Sequence, residues 1–173
     1  GTLTLTNSGD GTAGAVTINK AGTINGAIAT IADTKTFLSV TITAGTTLTA
    51  FTTGAGSTVS TLTNNGTITT LTNNGTITTL NGSGTYATLT LGTAGAVSTA
   101  LTNTMTISNV VQTGIAANRS IDLGSYAKAV AVTGPDAAGA NSLTLTSGAG
   151  AATINVKGGF VNLGGVLTGD TLN

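Results

Sequence analysis

Residues 62–79 contain a direct repeat, in which LTNNGTITT at 62–70 is followed at once by LTNNGTITT at 71–79. The apolar positions in and around the two copies are separated alternately by three and six residues: Val59, Leu62, Ile68, Leu71, Ile77, Leu80, Tyr86 and Leu89. An amphipathic helix repeats at three and four residues, so this rhythm excludes a helix. The repeat therefore predicts β-structure.

Each nonapeptide contains two short strands, TLT and TIT, in which Thr flanks a single apolar residue. Neighbouring side chains of a strand point to opposite faces, so one face of each strand is apolar and the other carries hydroxyls. Between the two strands lies Asn-Asn-Gly, whose residues tolerate the left-handed backbone that a turn requires. The chain is therefore expected to turn at Asn-Asn-Gly.

Two ways of pairing these strands compete. A hairpin places Leu62 opposite Ile68, but it forces β-branched Thr69-Thr70 into the next tight turn, where such residues fit poorly. In a β-solenoid each strand pairs in parallel with the strand one coil away, and Thr69-Thr70 is only a corner between two inward residues. The solenoid fits better, with a coil of two nonapeptides.

The same pattern recurs along most of the chain, for example around Leu3 and Leu5 in GTLTLTNSGDG and around Leu143 in NSLTLTSGAG. We therefore predict one all-β domain or repeat array over residues 1–173, with almost no helix. Residues 112–136 collect several charges and the single proline, so an irregular excursion is expected there. A pilin-like β-sandwich completed by a donated strand is the alternative fold.

The charge of the chain limits its partners. Charged residues make up 6% of the sequence and the formal net charge is zero. Nucleic acids and anionic membranes both require clustered cations, so neither is an expected partner. No apolar run reaches the ~18 residues of a membrane span, so membrane insertion is not expected. Low charge also weakens repulsion between copies and favours self-association.

The stretch TLTNNGTITTLTNNGTITTLNGSGT at 61–85 resembles the degenerate repeats of β-helical surface proteins. These include autotransporter passenger domains, filamentous haemagglutinin-like adhesins, and S-layer or sheath proteins of bacteria and archaea. The resemblance covers about residues 57–92. It implies an extracellular adhesive or scaffolding role and carries over no catalytic or binding residue.

Catalysis is not expected, because His, Cys and Glu are absent from the chain. The remaining acids are five aspartates that are well separated in sequence: Asp10, Asp33, Asp122, Asp136 and Asp170. Acid-base enzymes that use Asp usually place further acids or cations beside it to shift its pKa. The chain is therefore predicted not to be an enzyme.

Calcium is the one metal that the sequence leaves open. Asp10, Asp136 and Asp170 lie in Gly-rich turns, which expose the carbonyl oxygens that hard cations need. The competing interpretation is that each Asp closes its own turn by accepting a backbone N–H. The dense Asp spacing of calcium-binding nonapeptides is missing, so the expectation is no required cofactor, with these three as Ca²⁺ candidates.

Two sequence features bear on what the surface could bind or carry. Thr-x-Thr triplets are typical of ice-binding solenoids, but here they come in pairs around the coil with irregular spacing, which favours Thr as a generic outward strand residue. Glycosylation sequons begin at Asn65, Asn74, Asn81 and Asn118. Glycans would attach there in an organism that glycosylates secreted proteins.

These observations predict a structural subunit of an extracellular filament, sheath or S-layer that associates with itself through strand pairing. The strand-like start of the sequence makes Leu3 and Leu5 the assembly candidates. The alternatives are an adhesin stalk or other binding module on the cell surface, which would bind surface proteins or glycans, and an ice-binding protein.

Overall fold

The computed structural model describes residues 3–4, 12–18, 22–31, 36–92, 94–113, 117–136, 141–146, 150–164 and 169–173. These residues contain no helix, which confirms the all-β prediction for this part of the chain. Their strands are β1 (Leu3–Thr4), β2 (Thr12–Ile18), β3 (Gly22–Ile31), β4 (Thr36–Ile42), β5 (Thr46–Thr53), β6 (Thr58–Asn64), β7 (Thr67–Asn73), β8 (Thr76–Asn81), β9 (Thr85–Leu91), β10 (Ala96–Val97), β11 (Thr106–Gln112), β12 (Arg119–Asp122), β13 (Ala129–Thr133), β14 (Leu143–Thr146), β15 (Thr153–Gly158), β16 (Val161–Gly164) and β17 (Thr171–Leu172).

Successive strands alternate between two faces of the molecule. The odd-numbered strands form a nine-stranded sheet in chain order from β1 to β17. The even-numbered strands form a five-stranded sheet from β2 to β10 and a three-stranded sheet from β12 to β16. Every pairing is parallel. Such a chain coils as a β-solenoid, so the predicted fold is confirmed and the alternative sandwich of antiparallel strands is wrong.

The length of a coil follows from the strand register. In the repeat region Thr58 pairs with Thr76, and Thr67 pairs with Thr85, so one coil spans eighteen residues or two nonapeptides. Elsewhere the coil is longer, since Thr12 pairs with Thr36, twenty-four residues on. The sequence spacing varies while the strands stay aligned, so the corners between strands take up the extra residues.

The strands are longer than the repeat predicted. Thr69 and Thr70 do not separate two strands, because β7 runs without interruption through both of them. Both face outward between the buried side chains of Ile68 and Leu71. A parallel partner on each side supplies the backbone bonds there, so two outward residues in a row bend the strand without ending it. Within each nonapeptide the turn therefore lies at Asn-Asn-Gly.

The core consists of inward side chains stacked in rows along the solenoid. On the nine-stranded sheet Leu48 pairs with Ile68, which pairs with Tyr86, which pairs with Ile107. On the five-stranded sheet Val40, Leu62 and Leu80 form the matching row. All are at most 1% exposed and belong to one cluster. Burying each such side chain contributes roughly 1.5–3 kcal/mol.

Residues 112–136, where an excursion was expected, contribute β12 and β13 to the sheets. The Asp122 carbonyl accepts a hydrogen bond from the Leu101 N–H at 2.8 Å, which ties β12 to the preceding coil. Residues 114–116 lie outside the described residues. The described part of this region therefore belongs to the stack of coils.

Candidate functional surfaces

The acidic side chains have different surroundings. The Asp122 carboxylate accepts the N–H of Gly124 at 2.9 Å and so closes its own turn. Asp136 is exposed beside a cleft of about 290 Å³ lined by residues 111–113 and 133–136. The Asp170 Oδ1 accepts the N–H of Ala152 at 2.7 Å, which joins two coils. Asp10 and Asp33 lie outside the described residues.

No three acidic or other metal-ligating side chains come together in the described part of the chain. A Ca²⁺ ion takes six to eight oxygen ligands, so one carboxylate would have to be completed by carbonyls and water. Of the three calcium candidates, Asp136 presents an exposed carboxylate, Asp170 is partly used in a backbone bond, and Asp10 is not described. The described candidates Asp136 and Asp170 therefore do not belong to a carboxylate cluster among the described residues.

Two of the four sequon asparagines link neighbouring coils. The Asn65 Oδ1 accepts the N–H of Ser83 at 3.2 Å, and the Asn118 Oδ1 accepts the N–H of Ser142 at 2.8 Å. Both residues are exposed, and the side-chain nitrogen that a glycan would modify is not the atom used in these bonds. Asn74 and Asn81 are partly buried.

The outward Thr residues form straight rows. On the nine-stranded sheet one row joins Thr47, Thr67, Thr85 and Thr106 through consecutive ladder pairs. A second row on the same face joins Thr52, Thr72 and Thr90, and the five-stranded sheet carries a row of Thr36, Thr58 and Thr76. All these side chains are partly exposed. We name the rows on the nine-stranded sheet the threonine face.

The strand register explains the irregular sequence spacing of the Thr-x-Thr triplets. Each face of the coil receives one strand per coil in the repeat region, and β7 alone carries two triplets, at 67–69 and 70–72, whereas β6 carries one, at 61–63. Their irregular spacing in sequence is absorbed at the corners, so it does not disturb the register. Neighbouring coils of a sheet lie about 4.7–4.9 Å apart, which makes each row evenly spaced.

Sequence analysis missed two buried asparagines at the turns. Asn64 and Asn73 are fully buried, and each reaches across to the next coil: Asn64 Nδ2 donates to the Thr85 carbonyl at 3.0 Å, and Asn73 Nδ2 donates to the Ala96 carbonyl at 2.7 Å. The Asn73 Oδ1 accepts the hydroxyl of Thr53 at 2.6 Å. Each lies two positions after an inward Leu, and strand alternation from that Leu could have placed it inside.

Both tyrosines are buried in the core, but their hydroxyls differ. The Tyr126 hydroxyl accepts the N–H of Ile107 at 2.9 Å and donates to its carbonyl at 2.8 Å. The Tyr86 hydroxyl makes no bond of good geometry with the described residues, although Asn64 lies close enough to act weakly on it. Burial raises the pKa of both phenols, against the smaller opposing effects of Asn64 and of the Ile107 backbone.

Exposed large apolar side chains cluster near the last described coils. Val156, Phe160 and Leu172 are 38%, 48% and 52% exposed, and they lie in or beside β15, β16 and β17. Leu38, at 57%, is the remaining such residue among those described, and it lies in β4. We name Val156, Phe160 and Leu172 the terminal apolar patch.

Comparisons with protein-family models, curated proteins and solved structures find no match to this chain. The β-solenoid agrees with the fold of the β-helical repeat proteins that the sequence resembles. In the described residues no helix is long and apolar enough to span a membrane.

Proposed function

We propose that this chain is a non-catalytic structural subunit of an extracellular filament, sheath or surface layer, and that it assembles with copies of itself through strand pairing. The observation that carries the proposal is the parallel ladder, in which β1 and β2 lie at one end of the described stack of coils and β16 and β17 at the other. Each of these four strands has one edge that pairs with no described residue. Unpaired edges of this kind template the addition of another strand.

Two further features favour association at these edges. Two residues of the terminal apolar patch lie in or directly before strands with an unpaired edge, Leu172 in β17 and Phe160 before β16, so pairing there would also remove apolar surface from water. The formal net charge of zero leaves little repulsion between copies. The mechanism of assembly is then continuation of the parallel ladder from one subunit into the next.

The test of this proposal is electron microscopy of the purified full chain, together with light scattering over a range of concentrations. We expect fibres or sheets of uniform width. Lysine at both Phe160 and Leu172 is expected to abolish them, because charge on the patch opposes docking while these exposed positions tolerate it. Leu38→Lys is the matched control, an exposed apolar residue in β4, a strand that is paired on both edges.

Several outcomes separate the proposal from its rivals. Fibres that form equally well from the double lysine variant, or a wild-type chain that stays monomeric at high concentration, would overturn end-to-end assembly. Monomers that bind a glycan array indicate the adhesin stalk instead. Proline at the assembly candidate Leu3, in β1, is expected to act like the patch variant; the other candidate, Leu5, lies outside the described residues.

The non-catalytic and metal-independent parts of the proposal have their own test. Replacing all five aspartates by asparagine is expected to leave assembly intact, because Asn keeps the acceptor oxygen that Asp122 and Asp170 use in backbone bonds. Assembly that collapses on addition of a chelator to the wild-type chain would instead assign a calcium site to the Asp turns.

The aligned threonine face supports a second candidate function, the ordering of water on a flat, charge-poor surface. Measurement of thermal hysteresis in the wild-type chain tests it directly. Activity that is lost in Thr67→Lys and kept in Leu38→Lys, which lies on the five-stranded sheet, would assign ice binding to this face. Absence of thermal hysteresis in the wild-type chain would eliminate the candidate.

A further inference from the structure

The chain contains four Asn-Gly steps, one at 25–26 and three close together at 65–66, 74–75 and 81–82. Asn-Gly is the step most open to spontaneous deamidation, because glycine has no side chain to block its own backbone nitrogen. Asn65 and Asn74 stand in identical nonapeptides. Any difference in their reactivity must therefore come from the fold.

Deamidation begins when the backbone nitrogen of the glycine attacks Cγ of the asparagine. The new N–Cγ bond closes a succinimide ring, the Cγ–Nδ2 bond breaks, and the displaced amide leaves as ammonia with the proton from the glycine nitrogen. Water then opens the ring at either carbonyl and yields aspartate or isoaspartate. The reaction requires a glycine N–H that is free to leave its hydrogen bond.

The structure restrains the glycine at the step 74–75. The Gly75 N–H donates to the Thr53 hydroxyl at 3.1 Å and to the Asn73 Oδ1 at 3.2 Å. Gly75 and both acceptors are buried, so attack by the Gly75 nitrogen would break two hydrogen bonds inside the coil. The Asn74 Oδ1 is also held against Gly92, where a β-carbon would overlap it.

The step 65–66 is restrained in the same way. The Gly66 N–H donates to the Asn64 Oδ1 at 3.0 Å, and this Asn64 is fully buried. The side chain that would be attacked is also held, because the Asn65 Oδ1 accepts the N–H of Ser83 in the next coil. At both of these steps, the inward asparagine that precedes the Asn-Gly pair holds the attacking glycine nitrogen in a hydrogen bond.

At the step 81–82 no inward asparagine of the described residues accepts the N–H of the glycine. Thr63 pairs with Asn81, so Gly82 occupies the register position that the inward Asn64 holds one coil earlier. The Gly82 N–H makes no hydrogen bond with the described residues, and neither does the buried Asn81 Oδ1. Gly82 also has a φ of 105°, a conformation that removes it from the strand geometry of its neighbours.

Among the three neighbouring steps, the geometry points to Asn81 as the site of fastest spontaneous deamidation, with Asn65 and Asn74 protected by the buried carboxamides of Asn64 and Asn73. Conversion of Asn81 adds one negative charge to a chain whose formal net charge is zero. Isoaspartate also adds a carbon to the backbone at the residue that pairs with Thr63, which shifts the ladder. Deamidation at Asn81 would therefore change both the charge and the backbone of the array.

Peptide mapping by mass spectrometry tests this assignment on the folded full chain, incubated in mildly alkaline buffer. Asn81 is expected to convert about tenfold faster than Asn65 or Asn74, which is the effect of one restrained hydrogen bond to a buried acceptor. In chain kept unfolded in urea the three sites are expected to convert at similar rates. Asn81→Gln is expected to remove the early product.

Equal conversion at all three sites in the folded chain would overturn the assignment, as would conversion of Asn65 or Asn74 before Asn81. A second variant tests the protection itself. Asn64→Ser keeps the circular dichroism of a folded chain if the cavity is tolerated, and it is then expected to speed conversion of Asn65 but not of Asn74. If Asn64→Ser unfolds, the comparison among the three wild-type sites still decides.

Discussion

Single buried side chains supply hydrogen bonds that the sheets leave open. The Tyr126 hydroxyl serves both backbone groups of Ile107, nineteen residues earlier, as acceptor of the N–H and donor to the carbonyl. Tyr86 fills the same core with its ring but contributes no hydrogen bond of this kind. The two tyrosines therefore offer a matched comparison of a satisfied hydroxyl with an unsatisfied one.

Tyr126→Phe is expected to lower the free energy of unfolding by about 1–3 kcal/mol, because it leaves the buried N–H and carbonyl of Ile107 without partners. Tyr86→Phe is expected to leave stability unchanged or slightly raised, since it removes a buried hydroxyl that is poorly bonded. Urea unfolding of the two variants provides the measurement. A larger loss in Tyr86→Phe than in Tyr126→Phe would contradict this account.

The corners determine how closely the strands can stack. At Gly84 a β-carbon would overlap the carbonyl oxygen of Gly66 in the coil before, and at Gly66 it would overlap that of Thr46. These glycines allow backbone to lie directly on backbone. The tight eighteen-residue coils therefore depend on glycine at the corner, whereas the strands tolerate any outward side chain of moderate size.

Gly84→Ala is expected to destabilise the fold by about 1–3 kcal/mol, because the corner must open to admit the methyl group. Gly14→Ala is the control, since Gly14 lies exposed in β2 with no atom near the position of a β-carbon. That change is expected to be neutral, or to stabilise the fold by up to about 1 kcal/mol, because alanine lowers the conformational entropy of the unfolded chain. Thermal unfolding of both variants is the measurement, and equal effects would refute the stacking of corners.

The molecule as a whole lacks the groups that make most proteins sensitive to pH near neutrality. The chain has no His, the side chain whose ordinary pKa lies nearest to neutral pH. The buried tyrosines have a pKa raised above the ordinary value of about 10. A raised pKa in the folded state means that the unfolded chain releases its phenolic protons first.

Stability is therefore expected to be level from about pH 6 to 9 and to fall above about pH 10, as the unfolded tyrosines ionise while the folded ones stay neutral. Each phenol contributes a slope of up to about 1.4 kcal/mol per pH unit, reached where the unfolded phenol is ionised and the folded phenol is still neutral. Urea midpoints measured across this range test the profile. Tyr86→Phe is expected to make the alkaline decline shallower, and a stability maximum in the acid range would contradict the interpretation.

The nonapeptides alone were sufficient for the all-β class, the eighteen-residue coil and the inward Leu and Ile positions, because alternation within a strand is a local property of the chain. The repeat also identified Asn-Asn-Gly as the turn. It predicted Thr69-Thr70 as a corner between strands, and there the structure differs because β7 has a parallel partner on each side. A local sequence pattern does not show the backbone hydrogen bonds that strands of neighbouring coils supply.

Which residues contact each other between coils could be determined only from the tertiary structure. Thr47, Thr67 and Thr85 align because the corners between strands contain different numbers of residues. Their unequal spacing in the sequence therefore does not reveal the alignment. The partners of Asn73 and Tyr126 lie about twenty residues away along the chain, so their burial satisfies groups that no local pattern connects. A solenoid brings residues together one coil apart, and the length of each coil is set only when the strands pair.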